Sequence, residues 1–121
     1  LLVAFTFSGA STRLDERRKL IVEEANAVGT AYSRLDLLRA EDGPLLRADM
    51  RRYVDARLAF YDRLLDFRGA KQERRRADQI EREIWTHGVA ASARVGDSRA
   101  TLLLLPSLNA MFDVGSERYA A

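Results

Sequence analysis

The sequence predicts an all-α protein: an antiparallel up-down four-helix bundle with a long first helix. Three observations predict it. Ala, Leu and Arg dominate, and only two prolines and seven glycines interrupt 121 residues, so good helix formers fill nearly every window. Apolar residues recur at alternating spacings of three and four, which places them on one helix stripe. The breaks between these stripes are short, and short connections make consecutive helices antiparallel neighbours. Strand-like alternation, internal repeats and low-complexity linkers are absent.

The first helix is expected over about Ser11 to Leu38, continuing upstream through an apolar edge. Leu14, Ile21, Val28 and Leu35 recur every seven residues, with Ala25 and Tyr32 between them, as in a bundle seam. Arg39 to Pro44 is the clearest break: Gly43 suits a turn and Pro44 the first position of the next helix. The second helix should run from about Pro44 to Phe67, with Leu46, Met50, Tyr53, Phe60, Leu64 and Phe67 on its stripe. Arg57 takes the one remaining seam position, and Gly69 is expected to end the helix. The third is expected over about Gln72 to Arg94, with Ala77, Ile80, Ile84, Gly88 and Ala91 inward. After a turn at Val95 to Ser98, with Asp97 or Ser98 as cap, the fourth should span Arg99 to about Tyr119. Pro106 falls inside it; an interior proline removes a backbone hydrogen bond and clashes with the preceding turn. The fourth helix is therefore expected to kink or restart near Pro106. In this topology both chain ends emerge at the same end of the bundle.

The length suits a single helical-bundle domain, residues 1–121, large enough to fold without a metal or a disulfide. Cysteine is absent, which removes disulfides, thiolate metal sites and cysteine nucleophiles together. A net charge of +2, from 20 basic against 18 acidic residues, is too small to point to nucleic acid. The clusters Arg17-Arg18-Lys19, Arg51-Arg52 and Arg74-Arg75-Arg76 are interleaved with acids and suit local ion pairs better than a phosphate-binding stripe. His87 is the only histidine, with no Gly-x-Ser-x-Gly motif to accompany it. Glu83 and His87 lie four apart and occur once, unlike the doubled Glu-x-x-His of di-iron bundles. Glu23, Glu24 and Asp113 offer oxygen ligands, but Glu23 and Glu24 are explained more simply as solvated faces. No catalytic residue, metal or cofactor is expected, and the chain is read as a non-enzyme.

Polar residues near the seams form a candidate polar core network: Asn26, Thr30, Arg57, Asn109 and Asp113. A buried arginine must be paired or it costs several kcal/mol, so Arg57 is expected to meet Asp113 or Asn109. The alternative is that Arg57 snorkels along the bundle to water.

Residues 1–10 carry no charge and run directly into a densely charged segment ending at Lys19. That edge suggests the last turns of a membrane helix, with Leu1, Leu2, Val3, Phe5 and Phe7 membrane-proximal and residues 11–121 forming the soluble bundle. No window reaches the roughly 18 to 20 apolar residues of a complete span.

Several stretches carry a family resemblance. Phe5-Thr-Phe-Ser-Gly-Ala10, Arg13-Leu-Asp-Glu-Arg17 and the run from Ile21 to Tyr32 come first. Arg34 to Leu38, Arg52 to Arg57 and Leu104 to Met111 follow in order. Together they resemble the bacterial bestrophin-like domain family. Ala110 stands where that pattern has Glu. The resemblance implies two membrane helices before this region and two after it, with this chain as the soluble insertion. It also implies a bacterial inner-membrane location, a cytoplasmic domain and a homo-oligomer of channel type. Arg13, Arg17, Arg18 and Lys19 near the apolar edge agree with the cytoplasmic side. The competing expectation is a sensory or protein-interaction bundle that binds a small ligand or a partner outside the cytoplasm.

Overall fold

Four α-helices make up nearly all of the computed structural model. It describes residues 2–120, except for the side chains of residues 2–8, 10, 11, 13 and 120. The membrane-proximal set Leu1, Leu2, Val3, Phe5 and Phe7 lies outside the described residues and side chains. Helix α1 is Leu2–Arg34, followed by one 3₁₀ turn at Leu35–Leu37. Helix α2 is Gly43–Asp62, α3 is Phe67–Arg94 and α4 is Arg99–Ala120. No strand occurs among the described residues, and the helices pack as an antiparallel up-down bundle, as the sequence predicts.

The pairing of polar side chains fixes the directions. Asp42 holds Arg94 at 2.7 Å, Asp49 meets His87 at 2.6 Å and Arg52 reaches Glu83 at 2.9 Å. Ascending α2 thus matches descending α3. Arg34, at the end of α1, donates to the Leu103 carbonyl near the start of α4 at 2.7 Å, and Glu24 meets Arg118 near the end of α4. Helix α1 lies along α4, α4 against α3, and α3 along α2. No comparable packing joins α1 to α2, which meet through the 3₁₀ turn and one buried ion pair. The bundle is therefore closed on three sides and open on the fourth.

The core gathers Leu35, Leu46, Met50, Tyr53, Ile80, Ile84, Leu104, Leu108 and Met111 between these helices. Full burial of each such aliphatic side chain contributes about 1.5–3 kcal/mol. Tyr53 packs edge-on against Phe112 with ring centroids 5.8 Å apart. Small residues let α3 and α4 approach closely: a Cβ on Gly88 would lie 2.9 Å from Leu108 Cδ1. The turn into α4 needs Gly96, whose φ of +88° is disfavoured for L side chains. The Asp97 carboxylate then accepts the Arg99 N–H at 2.9 Å, satisfying one free donor of the first turn of α4.

Three local expectations need correction. The α1 seam is rotated: Leu14, Ile21, Ala25 and Tyr32 are exposed, while Glu24, Ala31, Leu35 and Leu38 are buried. Only α4 covers α1 along its length, so the half of the stripe that faces α2 has no cover. Second, Gly69 does not end α2. The chain turns at Arg63 to Asp66, and the Asp66 carbonyl accepts the Ala70 N–H at 2.9 Å, so Gly69 sits in the first turn of α3. Leu64 and Phe67, which extended the predicted stripe, are exposed. Third, α4 is one helix through Pro106, which removes the restart from the two outcomes expected there and leaves the kink. Pro106 and Leu102, whose carbonyl loses its helical donor, are both exposed, so water can satisfy that carbonyl.

Helix α1 outruns its partners. Arg17, Leu20 and Ile21 share a cleft with Arg118 and Tyr119 near the end of α4. Residues 2–16 of α1 therefore project beyond the bundle by roughly 22 Å at 1.5 Å per residue. Leu14 through Lys19 are all exposed.

Candidate functional site

The bundle's buried charges sit where α1, α2 and α4 meet. Glu24 and Arg57 lie at the same height for a simple reason. Counting eleven residues back from Leu35 gives Glu24, and eleven on from Leu46 gives Arg57; both leucines are in the core beside the α1–α2 connection. Two antiparallel helices leaving one turn at equal rise bring these side chains level. Arg57 Nε donates to Glu24 Oε1 at 2.6 Å, and Nη2 donates to Glu24 Oε2 at 3.2 Å. Nη2 also donates to the Tyr61 hydroxyl at 2.6 Å. Arg118 Nη1 donates to Glu24 Oε2 from α4. Glu24 is 5% exposed and Arg57 3%, so this is a buried, bidentate pair, the strong form of charge-assisted hydrogen bond.

Aromatic rings separate the cations. Arg118 lies over the Tyr61 ring at 3.9 Å, and Arg57 and Arg74 lie over the Tyr119 ring at 4.2 and 4.4 Å. Phe60 meets Tyr119 edge-on at 4.7 Å. Cations over ring faces are attracted by the ring quadrupole, which lets three arginines share one corner.

Burial and charge set the protonation here. Desolvation would lower the Arg57 pKa, but the hydrogen bonds and charge of Glu24 outweigh it and hold the guanidinium above its usual value. Desolvation pushes the Tyr61 hydroxyl up to about 12, against the pull of Arg57. It also raises Tyr53 and Tyr119. All three phenols stay neutral donors near neutral pH. Although Arg57 draws the Tyr119 value part of the way back down, no hydrogen bond of normal geometry joins them. Arg57 Nη1 and Tyr119 Oη are both buried without a hydrogen-bond partner. Such groups carry a desolvation penalty of about 1–3 kcal/mol each.

Beside the cluster runs the open side of the bundle, a cleft of about 820 Å³ between α1 and α2. Val28, Gly29, Tyr32, Met50, Val54 and Leu58 form its apolar walls, and Arg57, Tyr61 and Arg118 close one end. A smaller cleft of about 410 Å³ adjoins it through Ile21, Tyr61 and Arg118, and adds Arg17.

The sequence-predicted network is not assembled. Arg57 is buried as its seam position requires, but its partner is Glu24 rather than Asp113 or Asn109. Asn109 and Asp113 are exposed on α4, as are Asn26 and Thr30 on α1. Asn26 and Thr30 line a shallow cleft with Pro106, Ser107 and Ala110. Glu24, expected on a solvated face, is the buried acid. The missed signal was the heptad itself: positions three after Ile21 and Val28 are Glu24 and Ala31, and these are the buried ones.

His87, on α3, is oriented by Asp49 of α2 at 2.6 Å. This acid–imidazole pair ties two helices together. No group of three or more acidic, histidine or cysteine side chains able to hold a metal ion occurs among the described residues. No described helix is long and apolar enough to cross a membrane.

Fold and site together define a four-helix bundle with one open side and a buried Arg–Glu cluster at its end. No protein-family model matches the chain, and no curated protein or solved structure matches it significantly. The bestrophin-like resemblance therefore rests on the residues quoted above alone.

Proposed function

We propose that this chain is a non-catalytic helical-bundle domain held at a bacterial inner membrane by the projecting part of α1. The observation that carries this reading is the unbroken course of α1. It runs on past Arg17, where Leu14 to Lys19 are exposed, and its outermost segment, residues 2–10, carries no charge. An uncharged helix arm that runs on past the end of its neighbours suits a bilayer better than water. Arg13, Arg17, Arg18 and Lys19 follow at once, where they favour anionic headgroups and the cytoplasmic side. The bestrophin-like resemblance agrees, since it implies a membrane helix running on into the soluble part. The non-catalytic part is supported by the use made of polar side chains: His87 and Arg57 are both engaged in joining helices.

Vesicle flotation tests the attachment. The chain should float with vesicles of phosphatidylethanolamine and phosphatidylglycerol, and the double variant Phe5→Asp/Phe7→Asp should stay at the bottom of the gradient. Equal behaviour of the two proteins would refute the arm as an anchor. The channel-type version of this reading requires several copies around one axis, and a chain that is monomeric both in buffer and on vesicles would remove it.

A further inference from the structure

We propose that the cleft between α1 and α2 binds a medium-chain alkyl carboxylate, with its head on Arg57 and Arg118 and its tail along the apolar walls. This inference is independent of the membrane attachment above.

Three observations converge on it. The first is the unspent donor. Arg57 has five N–H groups; Nε and Nη2 are used by Glu24 and Tyr61, while Nη1 is buried and has no partner. Arg57 and Arg118 both line the end of the cleft; Nη1 itself is buried there, so a second carboxylate meets it only when the guanidinium edge turns outward. Tyr119, stacked on Arg57, belongs to the smaller adjoining cleft, so the head rests on the arginines alone.

The second is charge. Arg51, Arg57 and Arg118 line the cleft against Glu24 and Asp55, an excess of one positive charge. A monoanionic head balances that excess. A phosphate monoester, at about −1.5 to −2, would overshoot it.

The third is shape. From Glu24 to Tyr32 the wall of α1 runs about 12 Å at the helical rise, lined by Ala25, Val28 and Gly29 and faced by Met50, Val54 and Leu58. That length holds an extended alkyl chain on the order of ten carbons. A cleft of about 820 Å³ lies within the usual range for small-molecule sites, mostly apolar with a few placed polar groups. Gly29 widens it: a Cβ there would meet nothing within 4 Å.

Isothermal titration with decanoate below its micelle concentration tests the proposal. One saturable site is expected, with decanol and acetate at least about tenfold weaker, since each loses one of the two recognition elements. Arg118→Gln should weaken decanoate about tenfold while the Glu24–Arg57 pair keeps the core intact. Gly29→Phe fills the cleft from an open helix position, so it should abolish binding without lowering the melting temperature. The proposal is overturned by decanoate binding that is absent, non-saturable or unchanged in Gly29→Phe, or by decanol binding as tightly as decanoate. Tighter binding of decyl phosphate would overturn the carboxylate head. A dimer in sedimentation velocity that Gly29→Phe converts to monomer would give the cleft to a second copy of the chain and overturn the ligand altogether.

Discussion

The two long sides of this bundle are built from the same residue types and differ in what covers them. Along α3 and α4, Ile84, Gly88, Leu104 and Leu108 interlock, and the glycine brings the helices close enough that even one added methyl would crowd Leu108. Along α1 and α2, Ile21, Val28, Tyr32, Val54 and Leu58 are equally apolar, yet they line a cleft. What holds that side is a buried ion pair and its stacked tyrosines rather than interdigitated methyls. Apolar composition alone does not close an interface; backbone approach does, and α1 approaches α4 instead of α2.

Substitutions can break this contrast. The largest effect is expected from Glu24→Leu, which strands Arg57 in the interior. Urea unfolding should show a loss of about 3–5 kcal/mol, and the double variant Glu24→Leu/Arg57→Met should recover most of it, because the apolar pair leaves only the less buried Arg118 without its acid. Equal losses in the single and double variants would mean the pair is not what joins α1 to α2.

Next comes a matched pair of truncations. Leu108→Ala on the closed side should cost about 2–5 kcal/mol. Ile21→Ala on the open side, where the side chain is 50% exposed, should change stability by no more than about 0.5 kcal/mol. A large cost at Ile21 would show the cleft to be closed in solution.

Smaller still is Gly29→Ala. The position is helical and its Cβ would meet no neighbour, so a gain of about 0.5–1 kcal/mol is expected in thermal or urea unfolding.

The smallest effect is pH-dependent. Desolvation first, and then the charge of Asp78, raise the Glu81 pKa in the folded protein. The folded state holds that proton to higher pH than the unfolded chain does. Stability from this group therefore falls as pH rises from the usual carboxylate range through the raised value. Glu81→Gln should melt above the parent at pH 7, with the gap narrowing toward about pH 4, where the unfolded carboxyl is also protonated. A gap that does not depend on pH would remove the assigned cause.

How much was legible in the sequence varies by helix. On α3 the stripe Ala77, Ile80, Ile84, Gly88, Ala91 is buried as its spacing predicts, since neighbours cover that face. On α1 the seven-residue repeat misleads: of Leu14, Ile21, Val28 and Leu35 only Leu35 is buried, and Glu24 and Ala31 take the inward face in place of Ala25 and Tyr32. A glutamate at a seam position looks like a solvated residue until a cation appears at matching height on another helix. Arg57 was that cation, and its seam position was visible. Asp113 and Asn109 lie near apolar positions on α4, but both turn outward once Leu108, Met111 and Phe112 take the inward face. Leu64 and Phe67 continue the α2 stripe in the sequence, but they are exposed and α2 ends at Asp62.

By itself the sequence determined that this is an all-α chain, where two of its three turns fall, that its bundle runs up and down, and that Arg57 would need a buried partner. Those follow from local propensity and from the 3.6-residue period, which act within a few turns of helix. Only the tertiary structure decided that α1 packs on α4 rather than on α2, that Glu24 answers Arg57, and that the remaining apolar stripe becomes a cleft with Arg57 and Arg118 at its end. Those depend on how far apart helix axes settle, which side-chain volume and charge determine jointly across all four helices.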